Sequence, residues 1–488
     1  MTSGRPDGRG REAEQAVGHV SEQAVGSLCL VLHSHMPYVE GFGTYPFGEE
    51  WLFDAVLRSY VPVLEAAERM TFTVTPVLAD QLEAPGVWER LRAFAERFRV
   101  EAAELDAREV EPGLRPACLD EADRYRSVLA ALERSGGDLL APFREAAERG
   151  VELMASAATH AVLPMLATDG AVRLQIDAGL RSHRRRFGEP AGFWLPECAF
   201  RPGLEHALGE QGVEFFCVDQ SAHEGELDAL APVATAAGPV AFTIDWPTVE
   251  LVWSLEGYPS HPGYADFHRK TLRGVRPWGI GGEPRDPEAS RERARAQARE
   301  FLATVAERLA RFRAERGRPG LLVFAADTEL FGHWWWEGPH WLAEVVRGAE
   351  DAGVELVTLP EALARFPAEE RPLRRASWGE HKDLSTWDSP EVADLAWGAR
   401  RLELRLLARL AARDVEPARA ERAVRELLAV QASDWAFLDK RRQAGDYPFR
   451  RVTNHAEALF ESLDSPHPPG PRLRNLAPDL SLAPLLAT

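Results

Sequence analysis

The sequence predicts an α/β fold whose parallel strands close into a barrel. Short apolar segments of strand length alternate with longer segments that carry apolar residues at helical spacing, which is typical of parallel βαβ units. Seven or eight such strands favour a barrel over an open sheet. Polar residues cluster directly after the strands, as expected for a barrel whose site lies at the carboxyl ends of its strands. No G-x-G-x-x-G motif follows the first strand, which argues against a dinucleotide site.

The predicted elements of the barrel run from residue 27 to about residue 370. The strands are expected at Leu28–Leu32, Thr71–Val77, Val151–Ala155, Phe193–Leu195, Val213–Val218, Val240–Ile244, Leu321–Ala326 and Val354–Leu359. Helical spacing predicts an inserted helical region at about 80–150, formed by Trp88–Arg99, Asp120–Arg134 and Leu139–Arg149. A long charged helix, about Pro287–Arg316, precedes the strand that begins at Leu321.

The segments outside the barrel differ from it in composition. Residues 371–464 are expected to form an all-helical C-terminal domain, with amphipathic segments at Pro390–Ala412, Pro417–Leu438 and Asn454–Leu463. Residues 1–26 are rich in Gly, Glu and Arg and have no apolar core, so we expect a disordered tail rather than a secretory signal. The Pro-rich residues 465–488 are expected to form an irregular tail.

Composition limits the classes of partner. The chain has 57 Lys and Arg against 76 Asp and Glu, a net charge of −19, which argues against nucleic acid or an anionic membrane surface. No apolar run reaches the roughly 18 residues that would span a membrane. Cys29, Cys118, Cys198 and Cys217 lack CxxC or metal-type spacing, and so few thiols fit a reducing cytoplasm. We expect a cytoplasmic protein without a cofactor, and we favour a monomer.

Two acids follow apolar strands in aromatic surroundings. In AGFWLPECAFR the predicted strand ends at Pro196, and Glu197 comes next. The strand at 321–326 ends at Asp327, and three tryptophans follow at 334–336. A pair of strand-end carboxylates among indole rings suggests sugar chemistry, in which one attacks or stabilises the anomeric carbon and the other transfers protons.

The motifs, taken in order, resemble glycoside hydrolase family 57 and, within it, the 1,4-α-glucan branching enzymes. They are HSHMPY (33–38) with PFGEEWLFDA (46–55), VELMASAATHAVLPML (151–166), WLPECAF (194–200), ADTELFGHWWWEGP (326–339), SWGEHKDLSTWDSP (377–390) and QASDWAFL (431–438). The resemblance implies a distorted (β/α)7 barrel of the TIM type, an inserted helical region, a helical C-terminal domain and no metal.

The resemblance also implies the roles of the two acids. Glu197 would be the nucleophile that attacks an α-1,4-glucan of the amylose or glycogen type. Asp327 would be the general acid/base. Transfer to a 6-hydroxyl group would form a branch, whereas transfer to water would be hydrolysis. A helix cap is the alternative role for Asp327, and Glu329 is a second acid in the same motif; the motif match favours Asp327.

The remaining polar candidates have structural alternatives. We expect His33, His35 and His160 to bind sugar hydroxyl groups, although a His-x-His pair after the first strand also begins binuclear metal hydrolases. Asp219 and Asp245 follow strands and are expected in the cleft; ordinary turn residues are the alternative.

The motif match also points to aromatic candidates. Trp378 and Trp387 match tryptophans with which the family stacks on glucan, and Trp278 is a weaker candidate of that kind; core packing is the alternative for each. Asp434 is expected to reach the cleft from a helix, beside Trp435, which fits the domain interface.

One departure bears on the reaction. Branching enzymes of the family carry a tyrosine on a loop over the site, but the corresponding stretch here, Gln220–Gly238, has no aromatic residue. The tryptophan expected before PFGEE is replaced by Tyr45. The alternatives to branching are therefore an α-amylase-like hydrolase, a 4-α-glucanotransferase, a catalytically impaired glucan-binding protein and, third in rank, a metal-dependent hydrolase.

Overall fold

The computed structural model of the chain describes residues 24–412, 415–465 and 475–486. The predicted N-terminal tail, 1–26, lies outside the described residues except for 24–26, and Gly26 already begins the first strand. Of the predicted C-terminal tail, the described part 475–486 contains a short helix and buries Leu476 and Leu485 in an apolar cluster that the C-terminal helices share with residues 171–178.

The strands of the sheet are largely buried, except for the last two along the chain. They are β1 (Gly26–Ser34), β2 (Thr71–Val74), β3 (Glu152–Ser156), β4 (Gly192–Trp194), β5 (Phe215–Val218), β6 (Val233–Ala234), β7 (Val240–Thr243), β8 (Gly320–Asp327), β9 (Val354–Leu356) and β10 (Glu369–Glu370). Valine, leucine and phenylalanine fill them because both faces of a barrel strand are covered, one by the interior and one by helices.

The described strands close into a ring of seven parallel strands. Neighbours pair in the order β7-β5-β4-β3-β2-β1-β8. The ring closes just beyond β7, where Ile244 bridges Val323 of β8 in parallel. β9 adds to β1 outside the ring, and the two-residue strands β6 and β10 extend the sheet at β7. The sequence-based prediction of a distorted (β/α)7 barrel is confirmed.

The helices surround the ring and extend beyond it. Those of the barrel region are α1 (Glu49–Ala55), α2 (Val61–Ala66), α3 (Pro76–Leu82), α4 (Val87–Ala95), α5 (Glu101–Glu109), α6 (Arg115–Arg134), α7 (Ala141–Glu148), α8 (Asp169–Phe187), α9 (Leu204–Gly209), α10 (Trp246–Trp253), α11 (Pro287–Arg316), α12 (Gly338–Gly348) and α13 (Leu359–Arg365). Those that follow are α14 (Ala393–Ala411), α15 (Pro417–Val430), α16 (Asp434–Lys440), α17 (Tyr447–Asp464) and α18 (Ala483–Leu486).

Several predicted elements are wrong in extent: the helices predicted to begin at Asp120 and Asn454 begin at Arg115 and Tyr447, and three further differences have a clear local cause. The strand predicted at Thr71–Val77 ends at Val74, because Pro76 begins α3, where a missing N–H is no loss. The strand predicted at Val354–Leu359 ends at Leu356, because Thr358 caps α13 with its side chain. The amphipathic segment predicted at Pro417–Leu438 is two helices, since the chain leaves the helical path between Val430 and Asp434.

That break joins the helical region to the barrel. Ala432 pairs with Ala161, which follows β3, in an antiparallel bridge. The N–H of Ser433 donates to the carbonyl of His160 over 3.1 Å, and the hydroxyl of Thr159 donates to the carbonyl of Leu428 over 2.6 Å. These backbone contacts place residues 432–434 over the carboxyl end of β3. None of the helices in the described ranges is long and apolar enough to cross a membrane.

Candidate active site

The carboxyl ends of four strands converge with the break between α15 and α16. β1 ends at His33 and leads to His35, β3 leads to His160, β4 leads to Glu197, and β8 ends at Asp327. His33 and Asp327 are register partners across β1 and β8. The carboxylate–histidine cluster formed here comprises His33, His35, His160, Glu197, Asp327, Glu329, Ser433 and Asp434.

Two of these residues have unusual backbone conformations. Glu197 has φ +60° in a single 3-10 turn that follows Pro196, and the φ of His160 is +58°. Left-handed backbone is uncommon for residues with a Cβ atom and is retained where the surroundings fix it. At Glu197 the surroundings include Trp378, whose backbone N–H donates to the backbone carbonyl of Glu197 over 2.7 Å. The turn aims the carboxyl group into the cluster.

A continuous line of hydrogen bonds leads to Glu197. The Oε1 atom of Glu197 is 2.8 Å from Oγ of Ser433, which is 2.9 Å from Nδ1 of His160. Nε2 of His160 is 2.9 Å from Nε2 of His33. Nδ1 of His33 bonds the hydroxyl group of Thr73, on β2. The nucleophile candidate is therefore linked to three strand ends and to the C-terminal helical region.

A second group of bonds surrounds His35. Its Nε2 atom lies 3.1 Å and 3.2 Å from the two carboxylate oxygens of Asp434, and its Nδ1 atom lies 3.1 Å from Oγ1 of Thr75. Its backbone N–H donates to Oε1 of Glu329 over 3.0 Å, and the Tyr60 hydroxyl donates to the same oxygen. The Glu329 carboxyl group thus fixes the backbone of His35 and the Tyr60 side chain. Among the described residues, the Asp327 carboxyl group accepts no hydrogen bond from another side chain or from the backbone.

Burial sets the protonation of the cluster. It raises the pKa of Glu197 to about 8, opposed by the hydrogen bond from Ser433 and assisted by the charge of Asp327. Burial also raises the pKa of Asp327 to about 6, against the effect of His35. Burial, with help from Asp327, raises the pKa of Glu329 to about 8. Desolvation lowers the pKa values of His33 and His160 well below the usual value, so both imidazoles are neutral at neutral pH.

The histidine rings of the cluster stack on one another and on a neighbouring tryptophan. His35 stacks on His160 with ring centroids 3.9 Å apart, and His33 stacks on Trp194 at 4.9 Å. Trp378 meets the Trp194 ring edge-on at 5.1 Å. Trp378 is half-buried, and its backbone adjoins Glu197.

Asp219 lies on one flank of Glu197. It follows β5, accepts a hydrogen bond from the Ser221 N–H over 2.9 Å, and pairs with Nζ of Lys382 at 3.1 Å. The Lys382 ammonium also lies 3.0 Å from the centroid of the Trp246 ring. A pocket of about 370 Å³ opens beside these three side chains. Asp219 thus lines this pocket, and none of the residues lining it belongs to the carboxylate–histidine cluster.

Three predicted site residues in the described ranges lie apart from the carboxylate–histidine cluster. Asp245 caps α10 and pairs with Arg308 of α11 at 2.6 Å, and its N–H donates to the carbonyl of Val323. Val323 comes well before Asp327 on β8, roughly 13 Å along the strand, so Asp245 lies below the mouth of the barrel. The Trp387 ring is 2% exposed and packs among apolar side chains. The Trp278 ring faces the Arg269 guanidinium at 4.4 Å. The contacts of Asp245 are those of an ordinary turn residue that caps a helix. The contacts of Trp387 are those of a core residue.

The aromatic-free stretch Gln220–Gly238 is packed rather than extended over the site. Leu227 and Leu230 are buried, Glu226 pairs with Arg308 at 2.7 Å, and Asp228 pairs with Arg316 at 2.8 Å. Within the described part of the chain, no group of three or more His, Cys, Asp or Glu side chains is arranged to hold a metal ion.

Sequence reasoning missed Ser433, Tyr60 and Thr73. Ser433 lies inside the QASDWAFL motif, which was expected to reach the cleft through Asp434. Its signal was the polar pair Ser433–Asp434 within an otherwise apolar helical stripe. Tyr60 and Thr73 were not singled out, because each belongs to a buried helix or strand and only the fold turns it toward the cluster.

A closed parallel barrel with acids at its strand ends is the architecture of a barrel enzyme, and a pair of such acids is the apparatus that glycoside hydrolases use. A sequence model described as glycosyl hydrolase family 57 matches residues 29–256, and one described as the C-terminal part of 1,4-alpha-glucan branching enzyme matches residues 400–468. The chain is 36% identical to the 1,4-alpha-glucan branching enzyme of Thermococcus kodakarensis, over 88% of this chain and 72% of that protein.

Two further relatives agree with this match. A protein of Mycobacterium tuberculosis, described as a probable 1,4-alpha-glucan branching enzyme, is 34% identical over 89% of this chain and 91% of its own length. The crystal structure of the family 57 branching enzyme of Pyrococcus horikoshii superposes with a TM-score of 0.89 at 30% identity, over 95% of this chain and 97% of that one. The chain belongs to glycosyl hydrolase family 57, which confirms the resemblance found in its motifs.

Proposed function

We propose that this enzyme is a 1,4-α-glucan branching enzyme that works by double displacement at Glu197 and Asp327. The observation that carries the proposal is the meeting of these two partly buried carboxyl groups in one cluster at the carboxyl end of a closed barrel. The family membership and the match to the C-terminal part of branching enzymes at residues 400–468 support the choice of reaction.

In the first displacement, a carboxylate oxygen of Glu197 bonds to the anomeric carbon of an α-1,4-glucan. The bond from that carbon to the leaving 4-oxygen breaks, and Asp327 gives this oxygen its proton. In the second displacement, a 6-hydroxyl group of an acceptor glucan attacks the same carbon, its proton passes to Asp327, and Glu197 is released. Two inversions retain the α-configuration, and the product carries an α-1,6 branch.

The reaction requires that the two carboxyl groups of Glu197 and Asp327 share a single proton and that Asp327 carries it. Burial raises the pKa of both groups, and the charge of Asp327 raises that of Glu197 further, so the pair carries one proton near neutral pH. The leaving oxygen accepts a hydrogen bond only from a protonated Asp327, and this contact draws the proton to the productive side when glucan binds. Hydrogen bonding to Glu197 favours the same arrangement.

The remaining predicted residues act on binding. His33, His35 and His160 contact sugar hydroxyl groups, Asp434 orients His35, Trp378 stacks on a sugar ring, and Asp219 contacts glucan through the rim of the cleft. Trp278, Trp387 and Asp245 would bind glucan only in a rearranged cleft. The four free, buried cysteines fit action in a reducing cytoplasm, and the proposal treats the enzyme as a monomer.

Hydrolysis is the second candidate, and the packed Gln220–Gly238 stretch favours it, because no aromatic side chain from this stretch excludes water from the glycosyl-enzyme. Incubation with amylose separates the two reactions: α-1,6 linkages are counted after enzymatic debranching and compared with new reducing ends. We expect linkages in clear excess. Reducing ends without linkages would make the enzyme a hydrolase, and neither product would leave a glucan-binding protein. Metal analysis of the purified enzyme tests the metal-dependent alternative.

A further inference from the structure

The side chain that contacts the Glu197 carboxyl group most closely comes from outside the barrel. Oγ of Ser433 lies 2.8 Å from Oε1, whereas Nδ1 of His160 lies 3.8 Å from the same oxygen, too far for a hydrogen bond. Within the described residues, Oε2 of Glu197 has no hydrogen-bond partner. The two oxygens of this carboxyl group are therefore not equivalent.

The bonds that lead to Ser433 fix where its proton points. His160 and His33 are neutral, so each ring carries one N–H group and one bare nitrogen. Their two Nε2 atoms face each other at 2.9 Å, so one must donate and the other must accept. The line of bonds consequently has only two self-consistent directions, toward Glu197 or away from it.

An ionised Glu197 selects the first direction. A carboxylate only accepts, so the Ser433 hydroxyl donates to Oε1 and must itself accept from Nδ1–H of His160. Nε2 of His160 is then bare and accepts from Nε2–H of His33. Nδ1 of His33, bare in turn, accepts from the hydroxyl group of Thr73. Four donors in series point at one oxygen, and such chains strengthen each bond by polarisation.

We propose that Ser433 is a positioning residue for Glu197, whose hydroxyl group holds Oε1 at the end of this chain and leaves Oε2 as the attacking atom. The inference rests on the proposed function, in which Glu197 is the nucleophile. It deepens that function, because it makes residues 431–434 of the C-terminal region part of the nucleophile's environment. The charged and titratable groups that face Glu197 are Asp327 from β8, Asp434 from α16 and His160 after β3.

The hydroxyl group also affects the proton balance of the carboxyl pair. The bond from Ser433 lowers the pKa of Glu197, while burial and the charges of Asp327 and Asp434 raise it. Loss of the donor disfavours the arrangement in which Glu197 is ionised and Asp327 is protonated. Each unit by which the Glu197 pKa rises leaves about tenfold fewer molecules in the productive arrangement.

Ser433→Thr and Ser433→Val form a matched pair for the test. Their side chains have the same shape and differ only in the hydroxyl group, so the effects of bulk and of β-branching are shared. A cavity of about 60 Å³, lined in part by Ser433, Val162 and Trp387, offers space for the added methyl group. Both variants are made in the full-length protein and assayed with amylose over a range of pH.

We expect the threonine variant to stay within about threefold of the wild-type kcat. The valine variant should lose roughly 10- to 100-fold, since a hydrogen bond to a charged group contributes about 1.5–3 kcal/mol. The loss should fall on kcat rather than on KM, and the alkaline limb of the valine variant's pH profile should move upward by about one unit. If the threonine and valine variants have the same kcat and the same alkaline limb in their pH profiles, the role of the hydroxyl group is overturned. This holds whether the shared kcat is near that of wild type or far below it.

Neutron diffraction from deuterated wild-type crystals tests the chain without substrate. At about pH 9, above the Glu197 pKa of about 8, we expect deuterium on Nδ1 of His160 and on Nε2 of His33. The opposite tautomers would refute the directed chain. If wild-type enzyme forms neither linkages nor reducing ends from amylose, the proposed function fails, yet the deuterium positions still decide the inference.

Discussion

Replacing Glu197 by glutamine should make the protein inactive and more stable at alkaline pH. Burial raises the pKa of the Glu197 carboxyl group from 4.5 to about 8. Because the folded pKa is raised, ionisation penalises the folded state. The penalty starts as pH rises above the unfolded value near 4.5 and is complete above about 8. Wild-type enzyme therefore loses stability across this window, and Glu197→Gln removes that loss.

The size of the effect follows from the shift. At about 1.36 kcal/mol per unit, a shift of this size corresponds to an upper limit of roughly 5 kcal/mol. The side chain keeps 19% of its exposure, and the glutamine amide must still find partners. We therefore expect about 1–2 kcal/mol of added stability at pH 9 and almost none at pH 5. In a chain of this length, that is a rise in melting temperature of roughly 1–2 °C.

Thermal unfolding of both proteins at pH 5 and pH 9 measures this difference. Glu189→Gln is the control, since Glu189 is 71% exposed and pairs only at the surface with Arg184. Turnover of amylose by Glu197→Gln should fall below about one thousandth of wild type, with glucan binding retained. A stability difference that does not grow between pH 5 and pH 9 would show that Glu197 is not the costly buried acid. Undiminished turnover would refute its role as nucleophile.

The other two predictions concern the proton donor and the pair. Asp327→Ala should lose about 10²–10⁴-fold with amylose but much less with an α-maltosyl fluoride, whose leaving group needs no proton; equal losses with both substrates would remove Asp327 from the role of acid. The kcat/KM of wild type should follow a bell-shaped pH profile with limbs near pH 6 and pH 8, the apparent pKa values of the pair. At pH values below the lower limb the rate falls because both carboxyl groups are protonated. At pH values above the upper limb it falls because both are ionised. A flat profile between pH 5 and pH 9 would contradict this assignment.

The sequence predicts the order of the barrel well, because its strands are short apolar runs that end at polar residues. Gly320–Asp327 and Pro287–Arg316 lie within a residue of their predicted bounds. The ring closure between Ile244 and Val323 could not be predicted, since it depends on how far β7 is shifted along β8. The same shift explains why Asp245 lies apart from the carboxylate–histidine cluster. A residue that follows a strand reaches the mouth of the barrel only if its strand extends as far as the neighbouring strands do.

The candidate site was only partly predictable for a related reason. Glu197, Asp327 and the histidines follow strands, so parallel strand ends bring them together. Ser433 lies 236 residues from Glu197 along the chain, and no local pattern reveals that contact. The amphipathic spacing of 417–438 continues through the break, which hides it. Trp387 matched a motif, yet its ring packs among apolar side chains such as Val162 and Ala436, which come from distant parts of the chain.

The bridge between Ala161 and Ala432 has a consequence for how such proteins are recombined. Exchange of the helical half between two relatives would exchange Ser433, the proposed positioning residue, together with the scaffold. On that proposal, a chimera joined anywhere between the barrel and residue 431 would function only if donor and recipient share the same hydroxyl and imidazole geometry. The contact between the two halves is therefore the place where recombined chains must match.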